Sequence, residues 1–254
     1  MLFTENVFLP SRLRFISKIA NNTLGQIEFL DSSEAVGIEG YKFRGVKGWV
    51  IHRKSGDRIL VVPKPTTVNP YGSVLLVPGI TRVPYMDNDG TQKARWLYPK
   101  VRTITDIDEL VSISQKARDS WANTFSFKSE EQNGDEIIKP GMRVPQLGAL
   151  YASLAHWIVT SEIGTVVMPT GTGKTETMLA LLACERPKCL FVVVPTSALR
   201  DQICKKFLTF GVLRKSGVIN SEVDLPFVGK VEHQFNNSDD AIQFLRSCNV
   251  AIAT

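Results

Sequence analysis

The chain has no apolar run near the roughly 20 residues that a membrane-spanning helix needs. Its start, Met1-Leu-Phe-Thr-Glu5, lacks the basic-then-apolar pattern of a secretory leader. The four cysteines, Cys184, Cys189, Cys204 and Cys248, include no C-x-x-C pair. That argues against a disulfide framework or a cysteine zinc site and for reduced, buried thiols. The three histidines, His52, His156 and His233, are scattered without metal-ligand spacing. Internal repeats are absent. The net charge of +5 is spread over both halves with no dense basic block, so charge permits a nucleic-acid partner without arguing for one. These absences point to a cytoplasmic protein with no membrane partner, whose protein partners the sequence does not name.

What is present is enough for a real core. The chain has 254 residues, 43% of them hydrophobic and 22% charged, which bounds it to one large or two modest globular domains. Residues 1–128 read as a small, β-rich α+β accessory domain. Trp49–His52 and Arg58–Val62 flank a turn on Gly56 and Asp57, a β-hairpin pattern. Ser73–Val77 is a further strand, closed by Pro78-Gly79, and Pro63, Pro65, Pro70, Pro78 and Pro84 cut the region into short pieces. Ile107–Trp121 has helical spacing, with Leu110, Ile113 and Ala117 on one face. Lys42, Arg44, Lys47, Arg53, Lys54 and Arg58 lie near Tyr41, Phe43 and Trp49. That mixture suits single-stranded nucleic acid, and it equally suits a solvated β-surface.

Residues 129–140 open on a polar stretch and read as a linker or exposed loop. From residue 141 the pattern becomes α/β. Gln146–Val159 is an amphipathic helix with Leu147, Leu150, Tyr151, Leu154 and Ile158 at helical spacing. Val166–Met168 reads as a buried strand. Cys189–Val194 is a continuous apolar strand of the kind covered on both faces. Leu199–Phe207 and Asp239–Leu245 are expected helices, and Phe227–Val231 and Asn249–Ala253 expected strands. The alternation implies βαβ units and a parallel sheet with its ligand at the carboxyl ends of the strands.

The organising stretch is Met168-Pro-Thr-Gly-Thr-Gly-Lys174-Thr175. It fits the phosphate-loop pattern except at its first position, where Met168 replaces the usual glycine. A triphosphate needs several backbone N–H groups aimed at one spot, and Gly171 and Gly173 permit that backbone. The expected helix from Lys174 to Glu185 points its positive end at the same anions. Lys174 supplies a mobile cation for the terminal phosphates, and the Thr175 hydroxyl is a hard ligand for Mg²⁺. Pro169, Thr170, Gly171, Thr172, Gly173 and Glu176 complete the expected nucleotide site.

Two further stretches sharpen this. Pro195-Thr196-Ser-Ala-Leu-Arg-Asp-Gln202 follows the second strand, and Arg143-Val-Pro-Gln146 precedes the loop. With the loop, they resemble the superfamily 2 helicases and translocases, close to the DEAD/DEAH-box-like and type III restriction-subunit-like proteins. The resemblance covers residues 141–254. It implies a partial RecA-like parallel sheet, ATP with Mg²⁺ as cofactors, and a nucleic-acid partner, with DNA favoured over RNA. By that resemblance Gln146 hydrogen-bonds the adenine edge, and Arg143 sits near the base. Lys174 and Thr175 take the catalytic phosphate and magnesium roles. Pro195, Thr196 and Gln202 lie along the nucleic-acid backbone. Ser197 stands where arginine is frequent, so Arg200 is the expected substitute. Val250–Thr254 resembles the next backbone-contacting motif, which places Thr254 there.

The family's acidic motif, Asp-Glu-x-[Asp/His], occurs nowhere in the sequence. Asp108-Glu109 precedes the loop and reads as a solvated helix pair. The resemblance places the acidic motif after residue 254. The expectation is therefore an N-terminal fragment that holds ATP but turns it over poorly by itself. Two other readings stay open: a P-loop nucleotide kinase or signalling NTPase, which has no use for Gln146 or Pro195-Thr196, and a non-catalytic ATP-binding scaffold.

Overall fold

The computed structural model describes residues 3–29, 32–80, 94–134 and 136–254. Pro84 and Asp135, both in stretches read above, lie outside these. The chain forms two compact units: Met1–Arg14 with Glu28–Arg102, and Phe15–Ile27 with Thr103–Thr254. Its strands are β1 (Phe3–Leu9), β2 (Arg12–Ile19), β3 (Asn22–Phe29), β4 (Ser32–Phe43), β5 (Val46–His52), β6 (Arg58–Val62), β7 (Val74–Leu76), β8 (Arg95–Tyr98), β9 (Arg102–Thr103), β10 (Glu131–Asn133), β11 (Glu136–Lys139), β12 (Leu190–Val193), β13 (Val228–Lys230) and β14 (Val250–Ala253). Its helices are α1 (Ile107–Ser120), α2 (Val144–Val159), α3 (Lys174–Glu185), α4 (Ser197–Thr209), α5 (Gly211–Lys215) and α6 (Ser238–Arg246).

The first unit is a six-stranded sheet in the order β1-β4-β5-β6-β7-β8. The expected hairpin is there: His52 pairs with Arg58, and Gly56 takes φ +87° in the turn. Strand alternation splits the apolar residues between two faces. Ile59, Val61 and Leu75 pack on one side with Ile38 and Ile51, while Leu60, Val62, Val74 and Leu76 pack on the other with Val50. Of the cation and aromatic residues read as a nucleic-acid surface, Phe43 is exposed with Arg44 over its ring, and Arg58 lies over Tyr71.

The second unit holds a six-stranded sheet ordered β12-β14-β13-β3-β2-β9. β12, β14 and β13 are parallel. β3 joins antiparallel, Leu24 opposite Gly229. The β2–β3 turn places Ala20 and Asn21 at positive φ, and the buried Asn22 caps the end of β13 by accepting hydrogen bonds from the Glu232 and His233 amides. Leu110 of α1 and Phe244 of α6 pack with Phe227 and Ala251. The whole is a mixed α/β arrangement.

The structure departs from the sequence reading at several places. The division near residue 128 is not where the chain separates. α1 belongs with the second unit because Leu110 and Ala117 are buried there and Asn249 donates to the Ser114 carbonyl. The stretch 129–140 carries the exposed hairpin β10–β11 in place of a plain linker. Val166–Met168 forms no strand: no described strand pairs with it, and Val167 is 89% exposed. β12 is an edge strand covered on one face only. Val192 is buried while Phe191 and Val193 are exposed. On α2, Leu147 and Leu150 point inward as expected, but Tyr151 and Ile158 are exposed.

A charge network ties α4 to β13. The Lys230 amine lies 3.0 Å from Asp201 and 2.7 Å from Glu232. The hydrogen bond from Lys230 holds the Asp201 and Glu232 carboxyls below their ordinary values of 3.8 and 4.5. The hydrogen bond to Glu232 raises Lys230 above 10.5. Groups with lowered pKa contribute stability above their unfolded values and lose it as pH falls; the raised lysine loses its share only as pH rises past 10.5. Lys230→Met is therefore expected to lower Tm modestly near neutrality, with the difference vanishing in acid below both carboxyl values. Melting curves of both proteins from about pH 7 down to about pH 2 check this. A constant difference across that range would count against the network.

Candidate functional site

The phosphate-type loop is built as its residue types require. Gly171 takes φ +83° and Gly173 φ +93°, both left-handed. Gly173 is the N-cap of α3, which starts at Lys174 as the sequence predicts. The Pro169 carbonyl gathers the turn, accepting from the Thr172 hydroxyl at 2.7 Å and the Lys174 amine at 3.0 Å. Thr177 donates back to the Gly173 carbonyl at 3.3 Å. The result is a left-handed loop feeding a helix N-terminus, with a mobile lysine beside it.

A cleft of about 710 Å³ opens at this helix start. The loop lines it through Thr170, Gly171, Gly173, Lys174, Thr175 and Glu176. Arg143 and Gln146 line it from the start of α2. The volume suits a nucleotide-sized ligand. No protein hydrogen bond holds the Thr175 hydroxyl among the described residues. No group of three or more His, Cys, Asp or Glu side chains among them is placed to hold a metal. His156 binds the Glu162 carbonyl at 2.8 Å, a structural role.

Two of the expected base-contacting residues sit differently from expectation. Gln146 is only 5% exposed, and its Oε1 accepts from the Arg143 amide at 2.9 Å. A Cβ added to Gly173 would collide with Gln146 Nε2. Gln146 thus caps α2 and buttresses the loop, and its carbonyl is already engaged. Arg143 also reaches the loop, donating to the Gly171 carbonyl at 3.2 Å. Both residues brace the glycines. Glu176 is buried and pairs with Lys206 at 2.7 Å, so its carboxylate serves the α3–α4 contact.

Lys206 and Lys215 line the same cleft from α4 and α5. Sequence reasoning missed them, because nothing in their spacing marks them; they arrive by the packing of α4 and α5 beside α3. Lys206 is neutralised by its pair with Glu176, so Lys215 is the one that adds positive charge beside Arg143 and Lys174.

The nucleic-acid candidates divide. The Val194 amide donates to the Ala253 carbonyl at 3.0 Å, so Pro195-Thr196 and Thr254 leave the carboxyl ends of adjacent parallel strands. Pro195, Thr196, Gln202 and Thr254 are exposed. The Thr196 hydroxyl accepts from the Leu199 amide at 3.2 Å, capping α4. Arg200 does not join this group. It is 8% exposed, donates to the Val231 carbonyl at 2.8 Å, and lies 3.6 Å from Asp201. Its guanidinium is a strut between α4 and the end of β13, because burial on the inner face of α4 leaves it no path outward.

Residues 139–246 match the family model described as the type III restriction enzyme, res subunit, a DEAD-like domain of helicase superfamily 2. No curated protein and no solved structure matches the chain significantly. No helix among the described residues is long and apolar enough to cross a membrane.

Proposed function

We propose that this superfamily 2 domain is the nucleotide-holding part of an ATP-dependent motor that moves on or opens nucleic acid, with DNA as its track. The observation that carries the reading is the pairing of two features in one α/β unit: the loop and cleft at the start of α3, and the exposed threonines at the ends of β12 and β14. DNA is favoured because the matching family is named for a restriction enzyme.

ATP enters with its phosphates over residues 170–175. The loop amides and the α3 N-terminus bind the phosphate oxygens, and Lys174 swings from the Pro169 carbonyl to the terminal phosphates. Arg143 and Gln146 keep Gly171 and Gly173 in their left-handed conformations. Magnesium, which such motors use with ATP, would be held on the protein side by the Thr175 hydroxyl and would screen the phosphate charge. Thr196 and Thr254 offer hydroxyls to the nucleic-acid backbone without reading bases, as translocation over any sequence requires.

Thr196→Asp separates this role from capping. Aspartate caps a helix as well as threonine does, so the fold should survive. Its charge opposes a backbone phosphate, so affinity for single-stranded DNA, read by fluorescence anisotropy, should fall about tenfold, near 1.4 kcal/mol. Thr196→Ser should bind like the parent. Equal affinity for all three proteins would remove Thr196 from the nucleic-acid surface.

A further inference from the structure

Two cysteines that the nucleotide site does not use face each other. Cys189 directly precedes β12, and Cys248 lies two residues before β14. The two strands are parallel neighbours with Leu190 opposite Val250. This register brings the sulfurs to 3.9 Å. The environments of the two thiols differ. Cys248 is fully buried, with its sulfur against Phe244 and Gly229. Cys189 is partly exposed and lines a cleft of about 500 Å³ between α1 and α6, with Val111, Arg118, Lys188, Ile242 and Arg246.

We propose that Cys189 and Cys248 form a reactive dithiol that hydroperoxides convert to an intramolecular disulfide, with Cys189 attacking and Cys248 resolving. The cleft gives a small peroxide access to Cys189 and denies it to Cys248. Hydrogen bonding with Cys248 lowers the Cys189 pKa and favours its thiolate, the nucleophilic form. The same hydrogen bond, with burial, raises Cys248, so the second thiol waits protonated beside the first. Cys184 and Cys204 are raised by burial, Cys204 to about 11, and neither has a second sulfur beside it among the described residues.

In the first step the Cys189 thiolate attacks one peroxide oxygen. An S–O bond forms, the O–O bond breaks, and the alcohol or water leaves with a proton. Sulfur is oxidised to sulfenic acid and the peroxide is reduced. In the second step Cys248 attacks the Cys189 sulfur. An S–S bond forms, the S–O bond breaks, and water leaves with the Cys248 proton. A disulfide needs the sulfurs at about 2 Å, a gap that side-chain rotation can close between adjacent strands. The cross-link joins the starts of the two strands whose far ends carry Thr196 and Thr254.

The test treats the full chain with hydrogen peroxide and follows intact mass and non-reducing peptide maps. The expected result is a loss of about 2 Da and a Cys189–Cys248 linked peptide, reversed by dithiothreitol. C248S should yield a dimedone-trapped sulfenic acid at Cys189, and C189S should leave Cys248 unmodified. Oxidation of Cys184 or Cys204 ahead of Cys189, or conversion of Cys189 to sulfinic acid with no linked peptide, would overturn the proposal. The wild-type result decides by itself if either variant folds poorly.

Discussion

Gly173→Ala is expected to cost at least a tenfold loss of Mg-ATP affinity, about 1.4 kcal/mol or more. Two effects add at this position. Gly173 holds φ +93°, where an L-residue is strained by about 1–2 kcal/mol. The new methyl also takes the place of Gln146 Nε2, with the Glu176 carboxylate 3.2 Å off, so the Gln146 side chain must shift to admit it. Either the loop leaves its left-handed conformation or the Gln146 side chain swings away and gives up its bond from the Arg143 amide, and either change loosens the loop that lines the cleft. Gly171→Ala is the internal contrast. Gly171 has φ +83° but open space where a Cβ would stand, so it suffers the backbone strain alone, about 1–2 kcal/mol. Adding Gln146→Ala to Gly173→Ala removes the collision and should restore part of the affinity, a coupling that a double-mutant cycle reads directly. Isothermal titration with Mg-ATP separates the cases. Parental affinity in Gly173→Ala would show that the loop does not cradle phosphate.

The largest expected loss of stability lies elsewhere, at Asn249. It is 1% exposed. Its Oδ1 accepts from the Phe227 amide at 2.9 Å, and its Nδ2 donates to the Ser114 carbonyl at 2.7 Å. One side chain thus joins β13, β14 and α1 where no backbone ladder connects all three. Asn249→Ala leaves the buried Phe227 amide without a partner, takes the second bond from the Ser114 carbonyl, which keeps its own α-helical bond, and opens a small void. The orphaned amide costs about 1–3 kcal/mol and the lost second bond about 1 kcal/mol more, so a total near 3 kcal/mol is expected. At about 2–4 °C per kcal/mol for a chain of this size, Tm should fall by roughly 6–12 °C. Asn249→Asp keeps the acceptor but loses the donor and adds a buried charge, so it should do no better. A drop under about 2 °C would mean that water replaces both bonds.

The contrast between these two sites explains what the sequence could and could not announce. Chemistry that depends on local backbone was legible. The glycine spacing fixed the turn, and α3 begins at Lys174 where that spacing ends. The expected helices after Thr196 and Asn237 both carry a side-chain cap. Chemistry that depends on distant partners was not. Strand β3 enters the α/β sheet by pairing Leu24 with Gly229, and a turn on Ala20-Asn21 carries no glycine to advertise it. The strand reading of Val166–Met168 rested on apolar content alone, and a strand exists only with a neighbour. Gln146 was readable as an amide near the nucleotide, yet only the structure shows its Oε1 engaged at the α2 cap. Arg200 looked like a free cation in the motif; burial on α4 made it a strut. Lys206 and Lys215 reach the cleft through helix packing that no spacing rule encodes.

The central claim, that residues 168–175 hold the phosphates of ATP, is tested most directly by titrating Mg-ATP into the wild-type chain and into Lys174→Ala. Lys174 is exposed and, among the described residues, its amine donates only to the Pro169 carbonyl, so its removal should leave Tm unchanged. Saturable binding to the wild type, weakened at least tenfold by Lys174→Ala at equal Tm, is the predicted result, about 1.4 kcal/mol or more. Equal affinity in both proteins, or no binding by the folded wild type, would contradict it.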